Sequence, residues 1–281
     1  MASLFSFGQS GMFWNNYSNF NPAMSGFQYS QHASATYTNY YPALSGNYSS
    51  VYADYGMSIS NHGVGINYTG GFYSATSNKL VLNYNYQFYF KKAGKLSLGT
   101  GIGVGRYQIK SSNTIFPQPT GPTEPIHSFE LNTGIAYNWK NLLVGFSASG
   151  LTPPEQSMIS TFYYVPRPSF NFHAQYAFQI AEKFQLTPRV LYAYQDGFQR
   201  LQPNLTLTYN NMFSLGVSSE FRDNLGVNIG WDIKNKFRVA YMYSATISKL
   251  NNGVSGGVHE FSLSYILKKK PVICDVGMSP K

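Results

Sequence analysis

The sequence predicts an all-β fold, a transmembrane antiparallel up-and-down β-barrel of outer-membrane type with about fourteen strands. Three observations predict it. Within 79–90 (KLVLNYNYQFYF), Leu80, Leu82, Tyr84, Tyr86, Phe88 and Phe90 share one parity, and Val81, Asn83, Asn85, Gln87 and Tyr89 the other. Successive side chains of a strand point to opposite faces, so this stretch has one oily side and one mostly amide side. Second, only 11% of the 281 residues are charged while 17% are aromatic, with 24 Tyr and 21 Phe; a soluble domain carries about 25% charge. No run approaches the roughly 18 apolar residues of a spanning helix, and a non-helical spanner must close into a barrel to satisfy its backbone. Third, the connections alternate between short and long, as periplasmic turns and extracellular loops do.

The elements follow in order. Residues 9–26 precede any strand and contain the turn-rich stretch 19–26, NFNPAMSG. Strand one, near 27–38, sets Phe27, Tyr29, Ala33, Ala35 and Tyr37 on one face; strand two, near 48–58, sets out Val51, Ala53, Tyr55 and Met57; strand three, 63–73, sets out Val64, Ile66 and Tyr68. The opening stretch is the fourth. The fifth, near 95–108, opposes Leu96, Leu98, Thr100, Ile102 and Val104 to Gly99, Gly101, Gly103 and Gly105, a bare face that lets a loop or plug approach or lets the wall bend. The alternation continues with Phe129, Leu131, Ile135 and Tyr137, then Leu142, Val144, Phe146 and Ala148, then Phe170, Phe172, Tyr176 and Phe178. It runs on through Phe184, Leu186, Val190 and Tyr192; Leu201, Leu205 and Leu207; and Phe213, Leu215 and Val217. It ends with Leu225, Val227, Ile229 and Trp231; Phe237, Val239, Tyr241 and Tyr243; and, in 259–267, Phe261, Leu263, Tyr265 and Leu267. The links at 59–62, 91–94, 140–141, 181–182, 210–211 and 234–235 are tight, whereas 110–125 and 150–168 are long. The barrel is therefore expected over 27–267, with a basic tail at 268–281 marking the periplasmic membrane edge and both termini periplasmic.

The net charge of +9 is scattered, with one cluster at Lys268, Lys269 and Lys270, so no basic patch for nucleic acid is expected. One cysteine, Cys274, excludes an intrachain disulfide. Residues 1–8, MASLFSFG, read as a signal-peptide remnant with cleavage before Gln9. By alternation Glu130, His173, Arg189, Glu220, Asp232, Arg238 and Glu260 point inward, and neighbours of opposite sign are expected there. The five histidines are far apart with no local metal spacing, and His127-Ser128 is the one adjacent Ser/His pair. No enzyme, no cofactor and no metal site are expected. The apolar stretch 157–165 of a predicted extracellular loop holds Met158, Ile159, Phe162, Tyr163 and Tyr164, and Ile115 and Phe116 lie in the other long loop. Such a patch is not left in water: it folds over the glycine face and closes the pore, or it docks a secreted partner.

Four motifs in this order resemble the PorP/SprF family of the type IX secretion system of Bacteroidetes. They are Asn21-Pro22-Ala23-Met24-Ser25-Gly26 ahead of the first strand, Lys95-Leu96-Ser97-Leu98-Gly99, Leu143-Val144-Gly145-Phe146-Ser147 followed by Pro153-Pro154, and His259-Glu260-Phe261-Ser262-Leu263-Ser264-Tyr265. The family positions carried over are Asn21, Pro22, Ala23, Gly26, His259 and Glu260. The resemblance implies a non-enzymatic outer-membrane protein that anchors secreted adhesins bearing a type B C-terminal domain, or belongs to the secretion and gliding machinery. Its implied partners are those adhesin domains, secretion components and outer-membrane lipid. It also favours an ordered plug or periplasmic contact for 9–26. A passive porin or uptake channel for small hydrophobic solutes stays open as the alternative.

Overall fold

The computed structural model describes residues 10–42, 48–72, 75–91, 93–109, 125–152, 168–220, 223–234, 236–247 and 256–269. The strands are β1 (Tyr29–Tyr40), β2 (Tyr48–Ile59), β3 (His62–Phe72), β4 (Ala75–Phe90), β5 (Gly94–Ile109), β6 (Ile126–Trp139), β7 (Leu142–Ser149), β8 (Ser169–Tyr176), β9 (Phe178–Ala181), β10 (Phe184–Gln195), β11 (Phe198–Tyr209), β12 (Phe213–Glu220), β13 (Asn224–Ile233), β14 (Phe237–Thr246) and β15 (Val258–Lys269). Both β8 and β9 pair with β10, so they are two halves of one strand interrupted at Ala177. The barrel thus has fourteen staves. Neighbours in sequence are neighbours in space, all antiparallel, and β1 pairs with β15 from Tyr29↔Lys269 to Tyr40↔Val258, which closes the ring.

Tight turns gather on one rim, as at Ser60–Asn61 and Lys140–Asn141, where Ser60 and Lys140 take left-handed backbone angles. The long connections leave from the other rim, which also carries short links, as at Asp196–Gly197 between β10 and β11. On β4 the two faces separate as read: Val81, Asn83, Asn85 and Gln87 are buried, while Leu82 is 55% exposed. Exposed and half-exposed cross-strand aromatic pairs form a belt near the tight-turn rim, with ring centroids 5.0 Å apart for Phe184–Tyr209, 5.9 Å for Phe213–Trp231 and 4.7 Å for Phe237–Tyr265. Such belts sit at the boundary of the hydrocarbon layer. Among the positions that depart from the reading by parity are Tyr89 and Phe27. Tyr89, expected inside, is 45% exposed, because it has passed the edge of the inner face, and its hydroxyl donates to Gln87 Oε1. Phe27, expected on the oily face of strand one, is fully buried inside the barrel, because β1 begins only at Tyr29 and its register with β15 shifts twice between Tyr29 and His32.

The outward face carries a direct prediction. Leu82→Arg is expected to cost about 2–4 kcal/mol, the price of a cation near the bilayer midplane. A urea titration in phospholipid vesicles measures it, and an unchanged midpoint would mean that this face does not meet lipid.

Candidate functional site: the luminal N-terminal segment

The interior of the barrel is occupied by the chain's own residues 10–28. Three 3-10 turns, Phe13–Asn15, Tyr17–Asn19 and Pro22–Met24, fold this segment, and Asn21 caps the third by accepting from Ala23 N at 3.0 Å while Pro22 holds the first helical position. Phe13, Tyr17, Ala23, Met24 and Phe27 form one buried cluster with Ala136, Leu143 and Leu191, the apolar side chains that the wall turns inward. Tyr17 stacks on His173 with ring centroids 4.6 Å apart, and Phe20 meets the same imidazole edge-on at 5.7 Å. The Tyr17 hydroxyl donates to Gln175 Oε1 at 3.0 Å.

The amide row of β4 holds the segment's backbone. Asn83 Nδ2 donates to Ser25 Oγ at 3.2 Å, Asn85 Nδ2 to Ser25 O at 2.7 Å and Pro22 O at 3.2 Å, and Gln87 Nε2 to Gly26 O at 3.3 Å. Ser97 donates to Ala23 O at 2.8 Å, and the Lys95 ammonium donates to Phe27 O while lying 3.9 Å from the centroid of that ring. Asn67 reaches Ser18 O. Asp54 accepts from Ser18 at 2.9 Å and from Ser34, with His32 Nδ1 3.2 Å away. At about 1 kcal/mol net for each bond, and more for those to charged groups, these contacts together hold the segment firmly.

The wall is thinned to admit it. A Cβ on Gly65 would stand 2.7 Å from Ser25 Oγ, one on Gly99 2.5 Å from Ala23 N, and one on Gly145 2.8 Å from Asn21 Nδ2; Gly63 and Gly134 are blocked in the same way by Ser25 and Asn21. The bare face of β5 therefore has two uses. Gly99 lies against Pro22 and Ala23, so of the loop, plug or bend expected at this face it is the luminal segment that approaches. Further along, side chains of β4 and β6 meet across β5: Lys79 Nζ reaches Glu130 Oε2 at 3.0 Å, beside Gly105, whose Cβ would lie 3.2 Å from Glu130 Oε1.

The family positions Asn21, Pro22, Ala23 and Gly26 lie together in this site. Asn21 is fully buried and donates to Ile135 O at 3.1 Å, with His173 Nε2 at 3.2 Å. Gly26 sits at φ +63°, and its Cα faces the Met57 carbonyl. Glu260 and His259 are adjacent on β15 but turn opposite ways. Glu260 is buried in the lumen and accepts from Ser10, from Met12 N at 3.2 Å and from Thr38 at 3.3 Å. His259 lies on the outer face, 2.8 Å from Tyr241 Oη and 2.9 Å from Gly256 O.

Among the inward charges, Asp232 takes both arms of Arg238 at 2.8 and 3.2 Å, and Glu220 meets Arg200 at 2.5 Å. Glu260, Arg189 and His173 differ from the expected pairing. Glu260 faces hydroxyls and backbone amides, Arg189 donates to Gln175 Oε1 and Asn204 Oδ1 with the Trp14 ring 5.1 Å away, and His173 meets Asn21. His127 is exposed and Ser128 buried, on opposite faces of β6, so the one Ser/His pair in the sequence is not brought together. Among the described residues no three His, Cys, Asp or Glu side chains gather to hold a metal ion. The loop residues Ile115, Phe116, Met158, Ile159, Phe162, Tyr163 and Tyr164 lie outside the described residues, as do 1–9 and 270–281. Asp54 and Asn67 were not singled out in the sequence, and Lys95 and Ser97 stood there only within a family motif; the signal that could have found all four is the inward parity of polar residues.

The fold resembles that of several solved structures. The toluene transporter TbuX of Ralstonia pickettii superposes with a TM-score of 0.54 at 10% identity, covering 89% of this chain and 92% of the other. The toluene transporter TodX of Pseudomonas putida gives 0.53 at 10% identity, covering 89% and 91%. A FadL homologue of Pseudomonas aeruginosa gives 0.50 at 9%, covering 88% and 92%. At these identities the likeness concerns the fold. A search of curated proteins finds no match. The family model described as type IX secretion system membrane protein PorP/SprF matches residues 7–265, from just ahead of the luminal segment to the last strand. The chain belongs to the PorP/SprF family of type IX secretion system membrane proteins.

Proposed function

We propose that this barrel is an outer-membrane holder for protein partners of type IX secretion, with its tight turns periplasmic and its long loops at the cell surface. The observation that carries the reading is what occupies the lumen. The inner-face amides of β4 and the inward apolar side chains of β6, β7 and β10 contact residues 10–28. Two cavities of about 30 Å³ lie beside the segment, one next to Asn15 and Asp54, the other between Gly11 and Glu220. Each has room for a water or two, whereas a site for a drug-sized solute measures roughly 300–1,000 Å³. Residues 10–28 act as a plug, and the rigid wall serves to display loops.

The partners are the C-terminal domains of secreted adhesins, or components of the secretion and gliding machinery. Purification from native membranes separates these: recovery of a large surface adhesin identifies an anchor, and recovery of periplasmic machine proteins identifies a machine subunit. Deleting 157–164 is expected to strip most of the retained cargo from intact cells while leaving the barrel folded. Unchanged retention would remove that loop from the docking face. The competing reading, an uptake channel for small hydrophobic solutes, draws on the two toluene transporters that share the fold. Solute flux into proteoliposomes would support it.

A further inference from the structure

The luminal segment has a direction. At one end Gly26 lies against Met57, which pairs with Gln31 at the start of β1, and Phe27 is held by Lys95, one residue past the start of β5. Both positions belong to the tight-turn rim. At the other end, Ser10 and Met12 are bound to Glu260, which pairs with Thr38, only two residues from the end of β1 at Tyr40 and the start of β15 at Val258. That is the rim from which the 247–257 connection leaves. Seven residues of β1 separate the two levels, roughly 24 Å along a strand. The chain therefore crosses the lumen from one rim to the other before β1 carries it back. β15 ends at Lys269 on the tight-turn rim, beside Tyr29.

We infer that whatever precedes Ser10 opens on the long-loop rim, opposite the carboxyl-terminal end, and that Glu260 is the positioning residue that fixes it there. Glu260 is buried and takes bonds from the Ser10 hydroxyl and from the backbone amides of Gly11 and Met12, so two of its three bonds to the segment use backbone groups that nearly any sequence would supply. Thr38 is a fourth donor from the wall and orients the carboxylate. It differs from the expectation that both termini are periplasmic. It rests on the proposed role only in placing the amino-terminal end on the face assigned to partner docking. The location itself is independent of any partner.

A short epitope is placed in turn ahead of Gln9, within 153–167, and after Lys281, and antibody access is read on intact cells. Heat-modifiable mobility on gels reports that each barrel is folded. The amino-terminal epitope is expected to share the accessibility of the loop epitope; sharing that of the carboxyl-terminal one overturns the inference. Should the epitope prevent folding, Gln9→Cys and Thr120→Cys in a Cys274→Ser background, probed with a membrane-impermeant maleimide, ask the same question. Equal labelling of the two on intact cells supports the inference, and labelling of Gln9→Cys only after permeabilisation overturns it. For Glu260, amide exchange at Gly11 and Met12 is expected to accelerate in Glu260→Ala and to be restored in Glu260→Gln, which keeps an acceptor. Equal exchange in all three proteins removes the positioning role. Loss of cargo capture in any of these variants would bear on the proposed function alone.

Discussion

Removing residues 10–26 is expected to turn a closed barrel into a conducting one. In planar bilayers at ordinary salt the intact protein should show no steady open state, and the deletion should show discrete channel steps. The reason is the chemistry left behind. Asn67, Asn83, Asn85, Gln87 and Ser97 would lose the backbone carbonyls they now serve, and Asp54 would lose Ser18. Buried polar groups without partners cost about 1–3 kcal/mol each, so these side chains would recruit water and the lumen would become a wet path. The wall itself should survive, since its ladder runs unbroken from β1 round to β15 without a contribution from the segment. If the deletion variant conducted no better than the intact protein, the segment would not be the plug.

The second large effect concerns one residue. Gly26→Val is expected to destabilise the folded barrel by about 3–5 kcal/mol, the sum of a branched side chain forced to a left-handed backbone and an overpacked contact. The φ of +63° is set where the luminal segment turns into β1, and a Cβ there would press into the Met57 carbonyl and reach Ser58 N at 2.9 Å, both backbone atoms that cannot swing aside. Gly197 supplies the control, with φ +82° and nothing within 4 Å of its would-be Cβ. Gly197→Ala should therefore cost only the conformational penalty, about 1–2 kcal/mol. Unfolding midpoints in urea compare the two, and equal losses would show that the contact with Met57 is not limiting.

How much of this was legible in the sequence depends on whether neighbours in space were neighbours along the chain. The faces of β4 were, because alternation reports them residue by residue, and Val81, Asn83, Asn85 and Gln87 are buried as that parity requires. The pairing of Asp232 with Arg238 follows from a hairpin, whose tight turn sets the register. The meeting of Lys79 with Glu130 does not, since it needs three strands aligned and the glycines of β5 between them. Phe27 was misplaced for a related reason: parity was carried back past Tyr29, where β1 begins and its register with β15 shifts. The path of residues 10–28 left little trace. The aromatic positions Phe13, Tyr17 and Phe20 look like a lead-in until the wall exists for them to pack on, and the trough that receives Pro22–Gly26 is built from glycines of β2, β3, β5, β6 and β7. No local period joins those positions.

The most direct measurement is hydrogen exchange on the intact protein in lipid nanodiscs, read at the amides of residues 12–27. The amides of Asn15, Asn16, Asn19, Asn21, Met24 and Phe27 donate within the segment's own turns, enclosed by the wall. They are expected to exchange as slowly as those of β4, in keeping with a segment locked inside the barrel. Exchange at the rate of an unstructured peptide would contradict it and leave an open barrel with a loose amino-terminal tail.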